Sequence, residues 1–301
     1  MQLGTIGVVR IAILADVHGN LPALEAVLAD IGRIGVDRVI VNGDSVNRGP
    51  QSVEVARLLA GRALEATLGN HDDLMVMVHD RNPDLGDTLD DPFWAATRVT
   101  AENLAAGGYL AAVKELPMTV RISEPDSASL LISHGSPRHY REGYGPSLTP
   151  EMISEIVEDY PADVLIGSHT HRPHLQRWAR YTVMNTGSVG APFNGDPRAQ
   201  YLVLTLQGGG WSAEFRRVPY DLESAVAAYA TTGLLDTGGL SAHIFRDELV
   251  HARSYMVPFL MRCEEGRLER NWRGWEEYKR LGAERFALPI MEQTISSSPE
   301  P

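Results

Sequence analysis

The residues able to do chemistry fall into five short stretches: Asp16-Val17-His18, Gly43-Asp44, Gly69-Asn70-His71-Asp72, His134-Gly135 and Ser168-His169-Thr170-His171. Carboxylate oxygens, an amide carbonyl and imidazole nitrogens are donors that divalent transition metals take. The stretches offer Asp16, His18, Asp44, Asn70, His134, His169 and His171 as ligands, and leave His71 over. A carboxylate has two oxygens, so one Asp can serve two ions about 3.5–4 Å apart, and such a pair activates water against phosphate esters. Taken singly, each stretch has an ordinary explanation: a capping or surface pair, a turn, a helix start. Their joint occurrence carries the metal reading.

Each stretch also ends or follows a run that reads as a strand. The runs are Arg10–Ala15, Val39–Val41, Ala63–Leu68, Ser129–Ser133 and Asp163–Gly167. Leu21–Ile34 reads as a helix between the first two, with Asn20 at its cap and Leu24, Val27, Leu28 and Ile31 at helical spacing. A second helix has Pro50 in its first turn and runs to about Ala60. Strand, loop and helix in repetition gather ligands beyond the carboxyl ends of the strands.

Leu74–Leu116 reads as mostly helical, interrupted by Asp80–Asp91 and Gly107-Gly108. Met118–Ile122 adjoins Ser129–Ser133 as a neighbouring strand. Leu175–Ala179, Tyr181–Asn185, Tyr201–Leu206 and Ser212–Val218 read as a meander with turns at Gly187, Gly195 and Gly208–Gly210. After Pro219 the chain turns helical, with Pro258 interrupting one helix. The apolar stretch Ile244–Met261 is suited to packing on the main domain, to a homodimer contact, or to a lid over the metals. These readings divide the chain into a metal-binding domain over 8–218, a helical extension packed on it over 219–295, and a frayed tail over 296–301.

The 301 residues, 44% of them hydrophobic, suffice for one large domain with an annex. The net charge of −12, with only two lysines, Lys114 and Lys279, argues against polynucleotides and anionic membranes, which select basic patches. It leaves a small phosphorylated substrate open, because bound metal sets the local field. Cys263 is the single cysteine, no run is long and apolar enough to span a bilayer, and Arg10 interrupts the first apolar stretch. The expectation is a cytoplasmic protein.

The five motifs, in this order, resemble the calcineurin-like metallophosphoesterase superfamily over about residues 10–218. Further stretches resemble its branch of small bacterial and archaeal phosphoesterases: Asp16-Val17-His18-Gly19-Asn20, Gly49-Pro50, His134-Gly135-Ser136-Pro137-Arg138 and Gly187-Ser188-Val189-Gly190. The chain departs from that branch at Ala191 and Phe193, where Gln and Arg are usual. The resemblance implies an α/β fold, a four-layer αββα sandwich of two packed mixed sheets flanked by helices.

It also implies that Asp16, His18 and His171 hold one ion, that Asn70, His134 and His169 hold the other, and that Asp44 bridges them. His71 would face the scissile phosphate without binding metal. Two divalent ions among Mn, Fe, Zn, Ni and Co suit these donors. The expected chemistry is hydrolysis of phosphate monoesters or diesters by a hydroxide between the ions, with His71 assisting the leaving group. Asn20 and Arg138 are candidate substrate contacts. Arg48, His139, Arg141 and Arg172 would touch phosphate or lie in solvated loops. Asp72 is expected to cap its helix, and His79, His174, His243 and His251 have no partner pattern. The competing reading is a noncatalytic metal-binding adaptor that docks a partner through its helical extension. The presence of His71 and of all seven ligands favours the enzyme.

Overall fold

Ile11 and Ile13 face one side of the first strand, Ala12 and Leu14 the other, and all four are buried. A strand covered on both faces belongs to a sheet inside a layered stack. The structure is a computed structural model that describes residues 8–286. Its strands are β1 (Val9–Leu14), β2 (Arg38–Asn42), β3 (Glu65–Thr67), β4 (Thr119–Ile122), β5 (Leu130–Ser133), β6 (Val164–Gly167), β7 (Pro173–Trp178), β8 (Tyr181–Thr186), β9 (Ala199–Gln207) and β10 (Gly210–Val218). The longer helices of the first part are α1 (Leu21–Ile34), α2 (Ser52–Ala60), α3 (Asn70–His79) and α4 (Ala95–Ala106). The short α5 (Leu110–Val113) and then α6 (Pro150–Asp159) follow. Beyond β10 come α7 (Leu222–Thr231), α8 (Leu234–Thr237), α9 (Gly239–His251), α10 (Met256–Glu264), α11 (Trp272–Arg280) and α12 (Ala283–Phe286).

Two five-stranded sheets form, ordered β10-β9-β1-β2-β3 and β4-β5-β6-β8-β7. Both are mixed: β1-β2-β3 and β5-β6-β8 run parallel, and the remaining pairs are antiparallel. The sheets pack face to face through Ile11, Ile13, Ile40, Leu202 and Leu204 on one side and Ile122, Leu130, Ile132, Val164, Ile166 and Met184 on the other. Leu24, Val27 and Ile31 of α1 cover the outer face of the first sheet, and Ile153 and Ile156 of α6 that of the second. This is the four-layer αββα order. The helices after β10 build a core of their own around Phe245, Phe259, Trp275 and Tyr278, which also takes in Phe93 and Ala96 of the first part.

Local details depart from the sequence reading. The helix read from Leu74 starts at Asn70, which puts Asn70 and His71 in its first turn. The expected meander is two hairpins in different sheets: β7 pairs with β8 in the second, while β9 crosses back to pair with β1 in the first. Local alternation specifies each hairpin but not the sheet it joins. Pro258 interrupts no helix. The break falls at Ala252, with φ 50°, and Pro258 sits in the first turn of α10, where its missing N–H costs nothing. Residues 150–159, unassigned from sequence, form α6, capped by the Thr149 hydroxyl. The expected tail over 296–301 lies outside the described residues.

Candidate metal centre

The carboxyl ends of β1, β2, β3, β5 and β6 open on one edge of the sandwich, and the loop after each carries one stretch of donors. These loops are folded against backbone preference. Of the twelve non-glycine residues with positive φ among the described residues, seven lie here: Asp16, His18, Asp44, Asn47, Arg48, His169 and His171. Such conformations cost energy and persist only where surroundings enforce them. The enforcement is visible. Asp72 Oδ2 accepts from the Asp44 N–H at 2.7 Å and from the Gly69 N–H at 3.2 Å, and its Oδ1 accepts from the Ser45 N–H at 3.0 Å. Asp72 thus caps α3, as expected, and also clamps the loop after β2. Gly69 lies so close to that loop that a Cβ on it would stand 2.1 Å from the Asp44 nitrogen.

The two sheets are stitched at the same edge. Asn42 donates from Nδ2 to the Ser133 carbonyl at 2.8 Å and to Ser168 Oγ at 2.9 Å, and accepts from Thr67 at 2.7 Å. The Asn185 amide donates to the Ser168 carbonyl at 2.5 Å and to Thr170 Oγ1 at 2.9 Å, which fixes the loop that carries His169 and His171.

The seven expected ligands converge. The ligand atoms of Asp16, His18 and His171 lie within 4.8 Å of one another, as do those of Asp44, His134 and His169. Asn70 Oδ1 is 3.2 Å from His134 Nε2 and 2.8 Å from His169 Nδ1. His71 also falls into a set with His18 and Asp44, so geometry alone does not exclude it as a donor.

Ring orientation is set from outside. The Nδ1 atoms of His18, His134 and His171 face the carbonyls of Val46 at 3.3 Å, Asn42 at 2.8 Å and Ala191 at 2.5 Å. A carbonyl accepts only, so each Nδ1 carries a proton, and in the neutral ring Nε2 presents a lone pair to the cluster. His18 Nε2 and His171 Nε2 are then two acceptors 3.1 Å apart, an arrangement that a cation between them relieves. With the rings neutral, as metal ligation requires, Asp16 Oδ1 and Asp44 Oδ2, the latter 3.2 Å from His134 Nε2, are buried without a hydrogen-bond donor. An orphaned buried carboxylate oxygen is costly, and a bound cation relieves it. Donor set, orphaned oxygens and facing lone pairs fit divalent metal.

Burial pushes His71 down to about 3 and His169 down to about 4. Both are neutral at physiological pH. Burial also opposes charge on His134, yet the adjoining Asp44 and Asp16 carboxylates outweigh it and hold the imidazole up at about 10. A metal arriving there displaces that proton. Asp72 is raised to about 7, first by burial and then by Asp44.

His71 has a partner that the sequence reading missed. Asn47 Oδ1 accepts from the Arg48 N–H at 2.8 Å, which fixes the amide so that Nδ2 donates to His71 Nδ1 at 2.9 Å. The His71 proton therefore sits on Nε2, as a donor. The only signal was position: Asn47 lies three residues after Asp44.

The two candidate substrate contacts are otherwise engaged. Asn20 caps α1 through Oδ1 and donates from Nδ2 to the Gly190 carbonyl and the Tyr220 hydroxyl. Arg138 is paired with Glu142 and Glu155. Arg48 and Arg172 line a cleft of about 500 Å³ whose floor is lined by Asp44, His71, His169 and His171. Phe193, one of the departures from the branch pattern, stacks on the His171 ring at 4.3 Å, and its carbonyl accepts from Arg172 Nε at 3.1 Å.

A family model described as calcineurin-like phosphoesterase matches residues 9–173. An uncharacterized protein of Methanocaldococcus jannaschii is 25% identical over 236 residues, covering 71% of this chain and 89% of that protein. A symmetrical bis(5′-nucleosyl)-tetraphosphatase of Hamiltonella defensa is 39% identical over 70 residues, 22% of this chain and 26% of that enzyme. Among solved structures, a metallophosphoesterase from Sphaerobacter thermophilus superposes with TM-score 0.61 at 26% identity, covering 81% of this chain and 99% of that one. A hypothetical protein from Pyrococcus horikoshii superposes with TM-score 0.64 at 21% identity, covering 79% and 97%.

Proposed function

The chain belongs to the calcineurin-like phosphoesterase family, and on that premise we propose that it is a dinuclear metal-dependent hydrolase of small phosphate monoesters or diesters. Asp16, His18 and His171 would hold one divalent ion, Asn70, His134 and His169 the other, and Asp44 both. When bound, the ions supply a water of lowered pKa and positive charge for the phosphoryl oxygens. The observation that carries the reading is the pair of donorless oxygens, Asp16 Oδ1 and Asp44 Oδ2, buried among imidazole lone pairs.

The chain's own residues supply the rest. His71, neutral and protonated on Nε2, would hydrogen-bond to the leaving oxygen and stabilise the negative charge that develops there as the ester bond breaks, the proton for the leaving group coming from solvent. Asn47 would keep it in that tautomer. The cleft walls of Pro146, Pro173, Phe193 and Val257 would exclude water from the organic part of the ester. Mn, Fe, Zn, Ni or Co suit the donors, and the acidic surface suits a small substrate better than a polynucleotide. The partial matches to proteins named bis(5′-nucleosyl)-tetraphosphatases, each covering about a quarter of this chain, are the reason to include a dinucleoside polyphosphate among the compounds tried.

The test is to strip the protein with chelator and restore each metal singly. Hydrolysis of p-nitrophenyl phosphate, bis-p-nitrophenyl phosphate and diadenosine tetraphosphate is then followed. Metal-restored turnover of at least one supports the reading. No turnover with any metal would return the chain to the adaptor alternative.

A further inference from the structure

Arg48 and Glu248 lie 200 residues apart in sequence and meet in the interior, Nη2 donating to Oε2. Their side chains are 10% and 1% exposed. Glu248 comes from α9, in the helices after β10. Its other oxygen, Oε1, accepts from the N–H of Tyr255 at 2.6 Å and of Met256 at 2.8 Å, where α10 begins. The carboxylate is therefore immobilised by the helical segment itself. The Arg48 guanidinium carbon stands 4.8 Å from the Phe245 ring centroid and 5.3 Å from that of Phe193, which stacks on His171. Arg48 lies in the same cleft wall as Asp44 and His71.

A buried ion pair is often no more stabilising than well-packed apolar side chains of equal volume, so stability alone does not account for this one. Among the described residues only Nη2 of this guanidinium has a hydrogen-bond partner. Nε and Nη1 keep N–H donors on different edges of the guanidinium, each able to donate singly to a phosphoryl oxygen.

We propose that Glu248 is a positioning residue that fixes Arg48 at the rim of the metal-ligand cluster, where Arg48 binds an anionic group of the substrate. The C-terminal helices thereby take part in substrate binding. This rests on the phosphoesterase reading, and its test reads binding as well as turnover.

In the manganese-loaded full-length protein, affinity for inorganic phosphate is measured by calorimetry, alongside KM and kcat for p-nitrophenyl phosphate. Arg48→Met should weaken phosphate binding about tenfold or more. Glu248→Gln keeps an acceptor for the Tyr255 and Met256 N–H groups but turns an amide N–H₂ toward Arg48. It should weaken phosphate similarly and raise KM more than it lowers kcat. Glu248→Asp should fall between Glu248→Gln and wild type. Adding Glu248→Gln to Arg48→Met should change phosphate affinity less than twofold, because the residue acts through Arg48.

Wild-type affinity in Arg48→Met would overturn the proposal, and so would losses that multiply in the double variant. A lowered melting temperature in Glu248→Gln with unchanged phosphate affinity and KM would also overturn it. If Glu248→Gln does not fold, Arg48→Met/Glu248→Met decides: affinity equal to that of Arg48→Met supports the proposal, and further loss sinks it. A wild-type protein that binds phosphate but hydrolyses no ester defeats the phosphoesterase reading and leaves this comparison standing.

Discussion

His71 and Asn47 show how a neutral amide can set the direction of a proton. A carboxylate in place of Asn47 would draw the proton to His71 Nδ1. The amide donates there instead, at 2.9 Å, and leaves Nε2–H outward. Burial keeps the ring uncharged, with its pKa down at about 3. His71→Ala should retain both metals by elemental analysis and lose about 10²–10³-fold in kcat, the range for removing one hydrogen-bond donor to developing negative charge. Asn47→Ala should also keep the metals and lose about tenfold, because the ring remains and only its orientation and tautomer are released. Full activity in His71→Ala would remove the residue from the chemistry.

Two devices at the scale of elements hold the donors. One is the contact between the loops after β2 and β3. Gly69→Ala would set a methyl group 2.1 Å from the Asp44 nitrogen and 2.2 Å from its Oδ1. Neither atom can yield without moving Asp44, so the variant should fold and bind metal far more weakly, read by titration against a chromogenic chelator. The other ties α1 to β9 and β10 on the far side of the first sheet. Asp30, 5% exposed, accepts from Arg216 Nε at 2.7 Å and from the Tyr201 hydroxyl at 2.7 Å.

The Arg216 hydrogen bonds hold the Asp30 carboxyl below its ordinary value. A depressed pKa contributes stability that is present above the unfolded value of about 3.9 and is lost as pH falls through the folded one. Asp30→Asn should therefore cost about 1–3 kcal/mol at neutral pH. That gap, measured by urea unfolding, should be constant above about pH 5 and close below about pH 4. A gap that persists undiminished in acid would mean the pair contributes through packing alone.

For the whole molecule, the donor cluster is a liability until cations fill it. Orphaned oxygens and facing lone pairs on loops from both sheets repel one another. Ions that bind only the folded chain stabilise it by about 2.7 kcal/mol at a free concentration of 100 Kd. Chelation should lower the melting temperature by several degrees and metal should restore it, whereas Asp44→Asn should show little response to either. The helices after β10 share a core with Phe93 and Ala96 and send Glu248 to Arg48. We propose 8–218 as the catalytic domain and 219–295 as an extension packed on it. A chain ended at 218 should express poorly, because Phe93 and Ala96 would be bared.

The sequence by itself determined the set of donor side chains and the edge of the sheets where they gather. Donor types are written in single letters, and strands that end in Gly-Asp or His-x-His announce where they stop, because apolar runs and turn residues are local signals. The start of α3 at Asn70, the separation of two hairpins into two sheets and the clamp by Asp72 were decided by tertiary structure. So were the Asn47–His71 and Arg48–Glu248 contacts. Each depends on which surfaces are buried together, and a hydrogen bond across 24 or 200 residues leaves no periodic trace in the chain.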